Sequence, residues 1–248
     1  MHGRLLQTRA VGAWGLPGDK AGPRLRVTPV SSPESPATPV SPPSRATTDR
    51  IVWIDCEMTG LSLTDDALIE VAALVTDFEL NQLGDGVDVV IKPPGAALDQ
   101  MDPFVRDMHT KSGLLEVLDS GTTMELAQEQ VLAYVREWVP EPRKAPLGGN
   151  TVATDRGFLT RDMPDLEAWL HYRIIDVSSI KELSRRWYPR VYFNAPAKSG
   201  GHRALADIRE SIAELRYYRD AVFVAPPGPD SVTSRTIAAR HIIGASEG

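Results

Sequence analysis

The chain has a single cysteine, Cys56, in 248 residues, so no disulfide can form within it and no Cys-based zinc pattern can be built. That count fits a reducing compartment. Long apolar runs are also missing: VAALV at 71–75 falls far short of the roughly 20 residues that cross a bilayer, which excludes a membrane-spanning helix. Basic residues are scarce beyond residue 50. Residues 1–50 carry seven Lys/Arg against three Asp/Glu, so the net charge of −6 comes entirely from an acidic body. Gripping long nucleic acid by phosphate neutralisation draws on many Lys/Arg contacts, and this balance argues against it. A short anionic substrate, or one held through metal ions, stays open. No Walker-type phosphate loop is present, because LGGN and SGGH lack the required Lys and spacing.

The organisation that remains is a tail, a body and a second tail. Residues 1–49 hold eight prolines and the segment VSSPESPATPVSPPSRATT, with no apolar periodicity to offset the entropy of ordering, and are expected to be disordered. Their start, MHGRLLQTRAVGAWGL, is Arg-bearing and acid-free in the manner of a mitochondrial presequence. The plainer reading is a dispensable tail on a cytoplasmic protein, with import as the alternative. From residue 50 to 223 strands and helices alternate. IVWIDCE (51–57), ALIEVAALVTDFEL (67–80) and VDVVIKPP (87–94) predict a three-stranded meander with its second turn at GDG. Thr122, three residues before Glu125, is a candidate capping box for a helix whose apolar stripe is Ala127, Val131, Tyr134, Val135 and Trp138. A short strand near 145–150, a helix from 154, a strand at 173–177, a helix at 178–187 and a long helix striped by Leu205, Ile208, Ile212 and Leu215 follow. The expected class is therefore α/β with a mixed sheet flanked by helices. APPGPDS then breaks the pattern, leaving a tail at 224–248 with a short helix around Ile237–Ile243.

Acids stand where ligands bind. Side chains two apart on a strand share a face, so Asp55 and Glu57 project together from the end of an apolar strand while Cys56 turns into the core as a small packing residue. Alone, an Asp-x-Glu pair is more often a solvated strand end than a half-site for a hard cation such as Mg²⁺. Asp155, in GGNTVATDRGFL, reads equally as a helix cap, and His202, five residues before Asp207 in GGHRALADIRES, reads equally as structural.

Taken in order, Asp55, Glu57, Asp155, His202 and Asp207 resemble the DEDDh branch of 3′-to-5′ exonucleases. IDCEMTGL, ALIEVAALVTD, HTKSGL, GGNTVATDRGFL, HYRIIDVSSIKEL and HRALADIRESIAELRYY together cover about 170 of the 248 residues and are similar to the oligoribonuclease family. The resemblance implies an RNase H-like fold in which the four acids hold two divalent cations, Mg²⁺ or Mn²⁺, and His202 is the general base. It further implies short RNA oligonucleotides as substrates, cleaved to nucleoside 5′-monophosphates. Met58 follows the first acid pair, Leu61 wedges against the terminal bases, and His109 contacts substrate or caps a turn. Tyr172 reaches into the neighbouring subunit's site in a homodimer, while Arg173, Ser178 and Thr151 bind the 5′ phosphate. One departure is Phe104, which stands in a segment where the family commonly has Trp; a smaller ring stacks less extensively on a base. The rival readings are a broader DEDDh exonuclease that trims longer strands and a binding module that has lost its metals. All four acids and the His are present, which speaks against the second.

Overall fold

The computed structural model describes residues 49–243 except Ser199. The readings of the N-terminal tail as disordered or as a presequence, and of the last residues of the C-terminal tail, fall outside these. Five strands form one sheet: β1 (Arg50–Met58), β2 (Leu68–Asp77), β3 (Gln82–Val90), β4 (Pro146–Gly149) and β5 (His171–Asp176), in the order β3-β2-β1-β4-β5. β1–β2 and β2–β3 pair antiparallel, β1–β4 and β4–β5 parallel, so the expected meander extended by parallel strands is present.

Ten α-helices accompany the sheet among the described residues: α1 (Gly95–Asp99), α2 (Pro103–Lys111), α3 (Leu114–Val117), α4 (Met124–Trp138), α5 (Ala153–Asp162), α6 (Pro164–Trp169), α7 (Val177–Trp187), α8 (Pro189–Phe193), α9 (Ala204–Val222) and α10 (Ser231–Ala239). β1 explains the layering. Its even residues Val52, Ile54 and Cys56 pack with Ala127, Val131 and Val135 of α4 and Phe158 and Leu159 of α5. Its odd residues Ile51 and Trp53 face Ala204, Ile208, Ile212, Leu215 and Tyr218 of α9. A period of two on the strand meets a period of 3.6 on each helix, and two cores form on opposite sides of the sheet.

Three expectations need correction. GDG is not the β2–β3 turn; the chain reverses at Leu80 and Asn81, where Leu80 takes φ 67° and Asn81 donates its backbone N–H to Asp77 at 2.8 Å. Gly84 and Gly86 instead lie inside β3 with φ of 70° and 87°, at a bulge that shifts the register between Ala73 and Val75. Tyr134 fills the interrupted ladder, accepting from the Val75 N–H at 3.2 Å and donating to the Leu83 carbonyl at 3.0 Å. The cap of α4 is Thr123, whose hydroxyl accepts from Leu126 N–H at 3.4 Å, while Thr122 bridges to Ile91. The C-terminal helix begins six residues earlier than expected, because Asp230 caps it by accepting from Thr233 N–H at 2.7 Å.

β4 approaches β1 closely. A Cβ on Gly148 would come within 2.9 Å of Ile51, and one on Gly149 within 2.9 Å of Val152 and 3.1 Å of the Ile54 carbonyl. The start of α5 is thereby brought beside the end of β1.

Candidate metal and catalytic site

The odd face of β1 that carries Ile51 and Trp53 continues into Asp55 and Glu57, so both carboxylates point toward the side where α9 lies. Asp207 stands in the first turn of α9 and its N–H donates to the Arg203 carbonyl at 3.0 Å. Asp155 stands in the first turn of α5, and its Oδ1 accepts from the Cys56 N–H at 3.0 Å, which ties the third acid to the strand bearing the first two. Ligand atoms of Glu57, His202 and Asp207 all lie within 4.8 Å of one another. These residues, scattered over some 150 positions of sequence, line one cleft of about 460 Å³ together with Met58, Leu61, Phe104 and Thr151.

Electrostatics shows what the cleft favours. Burial first, and then Asp155, Glu57 and Asp207, push Asp55 up from the ordinary 3.8 to about 9. Burial and the charges of Asp207, Glu70 and Asp155 push Glu57 from 4.5 to about 8, with Arg203 opposing. Burial lifts Asp155 to about 6 against its own hydrogen bonds, and Asp207 is also raised, chiefly by burial and Glu210. Desolvated like charges favour protons unless a cation takes their place. Four carboxylates and one imidazole, with no thiolate available, form a donor set that suits a hard divalent ion. The residues fit the group.

Cys56 is not a reactive thiol: burial and the neighbouring carboxylates hold its pKa well above the ordinary value, and it packs in the core as expected.

The RNase T family model, described as an exonuclease, matches residues 52–215. The oligoribonuclease of Streptomyces avermitilis is 74% identical over 197 residues, covering 79% of this chain and 98% of the relative. That of Nocardia farcinica is 61% identical over 191 residues, covering 77% and 88%. The chain belongs to the oligoribonuclease family. As a member of that family it is a nuclease, a phosphodiester hydrolase. Among solved structures, a zinc-bound complex of Escherichia coli exonuclease I with single-stranded DNA superposes with a TM-score of 0.55 at 18% identity. A further exonuclease I structure gives 0.52 at 18%. They share this fold, the RNase H-like one, and the chain spans only about 41% of their length.

Within the oligoribonuclease-family cleft, Leu61 and Phe104 are 75% and 76% exposed, two apolar side chains held at the lip. His109 is placed differently from the other expected contacts. Its side chain is fully buried on α2, beneath the cleft, with Nε2 2.9 Å from the Met58 carbonyl and Nδ1 3.9 Å from Glu57. Its ring thus meets the backbone of the segment that carries Met58, a place that neither the substrate-contact nor the turn-cap expectation described. Thr151 and Ser178 meet: the Thr151 N–H donates to Ser178 Oγ at 2.8 Å and to Asp176 at 3.0 Å. Tyr172 and Arg173 stand together on β5, with the guanidinium 5.6 Å from the ring centre, and neither lines this cleft.

Sequence reasoning missed several residues at the site. Lys198 lines the cleft and pairs with Glu214 at 2.7 Å; Glu214 also pairs with Lys181 at 3.1 Å. Asn150 donates to Ser211 Oγ at 2.7 Å and accepts from Ser178 Oγ at 3.1 Å, joining α9 to α7. The available signal was polar residues on the inner face of α9, at Ser211 and Glu214, among apolar neighbours.

Proposed function

We propose that this chain is a 3′-to-5′ exoribonuclease that hydrolyses very short oligoribonucleotides, dinucleotides foremost, to nucleoside 5′-monophosphates. The observation that carries this reading is the convergence of Asp55, Glu57, Asp155, Asp207 and His202 on one cleft in an otherwise acidic body. The four carboxylates would hold two divalent cations, Mg²⁺ or Mn²⁺. When bound, such ions stabilise the attacking and leaving oxygens of an in-line displacement at phosphorus and acidify water. The chain's own residues do the rest. His202, solvent-exposed and beside Glu57 and Asp207, takes the proton of the attacking water. Oxygen from that water bonds to phosphorus, the bond to the 3′ oxygen of the preceding nucleoside breaks, and no covalent enzyme intermediate forms. Leu61 and Phe104 supply apolar area against the two bases at the lip, with Met58 behind them.

Residues outside the single-chain cleft point to a second copy. Tyr172 is 73% exposed on β5, the edge strand, which also carries the exposed Ile174; Leu183 and Trp187 on α7 and Phe193 on α8 are further exposed apolar side chains. The reading is a homodimer in which Tyr172 crosses to the other subunit's cleft, while Arg173, with Ser178 and Thr151, meets the 5′ phosphate. A cleft capped in this way has no path for a long strand, and one Arg with the cations meets the few phosphates. Residues 50–223 are the catalytic unit on this reading. A cytoplasmic location fits it; the relatives above are bacterial, which leaves the mitochondrial alternative without support.

Two measurements test it. Incubating a 5′-labelled diribonucleotide and a 20-mer with Mg²⁺ or Mn²⁺ should release 5′-monophosphate faster from the dinucleotide; preference for the 20-mer would leave the broader exonuclease standing. Mixing an Asp55→Asn protein with a Tyr172→Ala protein, each nearly inactive alone, should restore activity up to about a quarter of wild type if sites are shared in random dimers. No recovery despite confirmed mixed dimers removes Tyr172 from the partner's site.

A further inference from the structure

We propose that Glu70 is a positioning residue for His202, acting through Arg203. The inference rests on the reading of His202 as the base and extends it to a residue outside the metal set.

Glu70 sits on β2 directly opposite Glu57 in the strand register, with its side chain fully buried. Both its oxygens are committed. Oε1 accepts from Arg203 Nε at 2.8 Å and forms an ion pair with Nη2 at 2.7 Å; Oε2 accepts from the Ala204 N–H at 3.0 Å. Glu70 is thus not a fifth acid free to hold a cation. It anchors the N-terminal end of α9 by its backbone and by the side chain that precedes the helix. A planar guanidinium gripped through two nitrogens has a fixed orientation as well as a partner.

Arg203 sits at the junction of the two groups that matter. The residue before it is His202; four residues after it is Asp207, whose N–H donates to the Arg203 carbonyl. His202 adopts φ 47°, a left-handed conformation that residues with a Cβ take uncommonly and at some cost. Immediately upstream, Gly200 and Gly201 are open, a Cβ on either meeting nothing within 4 Å. The upstream tie among the described residues is Lys198 to Glu214, four positions away. The adjoining constraint on His202 is downstream, the Glu70–Arg203 pair. Asp88, 4.0 Å from Arg203, is a weaker second partner. The arrangement also accounts for a carboxylate at the third position of the strand LIEVAALVTD, where the other residues up to Thr76 are buried and apolar or Thr.

The test is Glu70→Gln, which keeps shape and one acceptor but removes the charge that grips Arg203. With Mg²⁺ and a diribonucleotide, kcat should fall ~10–100-fold, the usual cost of losing a group that orients a catalytic residue, with KM within about threefold. In a His202→Asn background the same change should cost less than about twofold, because the residue being positioned is gone. In ¹³C-histidine-labelled protein the His202 resonance, assigned from its absence in His202→Asn, should shift or broaden while that of His171 stays. Equal loss in both backgrounds, or an unmoved His202 resonance, overturns the proposal. If Glu70→Gln does not fold, Arg203→Gln, altered at a partly exposed side chain, carries the same readouts. Full activity in His202→Asn would sink the base assignment instead, and the His202 resonance alone would then decide the role of Glu70.

Discussion

Asp155→Asn should abolish turnover and leave the fold intact. Asp155 is only 6% exposed, and its Oδ1 accepts the Cys56 N–H at 3.0 Å, a bond that an amide oxygen can keep. The substitution therefore removes one negative charge from the donor set without removing the tie between α5 and β1. Loss of a group that merely orients a metal ligand costs ~10–100-fold, so loss of a ligand charge should exceed ~100-fold in kcat. The second half of the expectation concerns stability. Burial holds the Asp155 pKa at about 6, so at pH 8 the group is ionised in the metal-free protein among Asp55 and Glu57, at a cost to the folded state. The Asn variant should accordingly melt no lower than wild type in EDTA at pH 8. Appreciable turnover with added Mg²⁺ would remove Asp155 from the metal set.

The metal-free protein loses stability as pH rises, and divalent cations return it. Asp55, Glu57 and Asp155 have folded pKa values of about 9, about 8 and about 6, against ordinary values of 3.8, 4.5 and 3.8. Between about pH 4 and pH 9 the native chain therefore holds protons that the unfolded chain has released, and the sign of the linkage follows: stability is full below the ordinary pKa values and declines as pH climbs through the raised ones. Melting in EDTA should drop on the order of 5–10 °C between pH 6 and pH 8.5. Saturating Mg²⁺ or Mn²⁺ displaces those protons. At a hundred times its dissociation constant a ligand contributes ~2.7 kcal/mol, which at pH 8.5 is an upward shift of roughly 5–10 °C and at pH 5 considerably less, because protons compete. A melting temperature that rises with pH in EDTA, or that ignores metal at pH 8.5, contradicts the cage of carboxylates.

Much of this site was legible before the structure, for a physical reason. A buried strand has a period of two, so Asp55 and Glu57 were bound to share a face, and the same alternation sent Cys56 into the core. Helix starts tolerate acids, so Asp155 read as a cap, and only the order of the acids and His202 along the chain separated chemistry from capping. GDG misled because Gly and Asp make turns and bulges alike; Tyr134, 50 residues away, decides between the two. α2 went unseen, and with it the burial of His109, since its apolar positions are few and its start rests on Asp102 and Pro103 rather than on periodicity. Glu70 was hidden in plain view, as a single carboxylate inside an apolar strand carries no sign of the arginine that will reach it from residue 203.

Gly148 and Gly149 give the distance across the catalytic floor an unexpected origin. Any side chain at either position would press on β1 or on the start of α5, and so disturb the placing of Asp155 against Asp55 and Glu57. The spacing of charges in this enzyme is thus set by two missing carbon atoms in its least conspicuous strand.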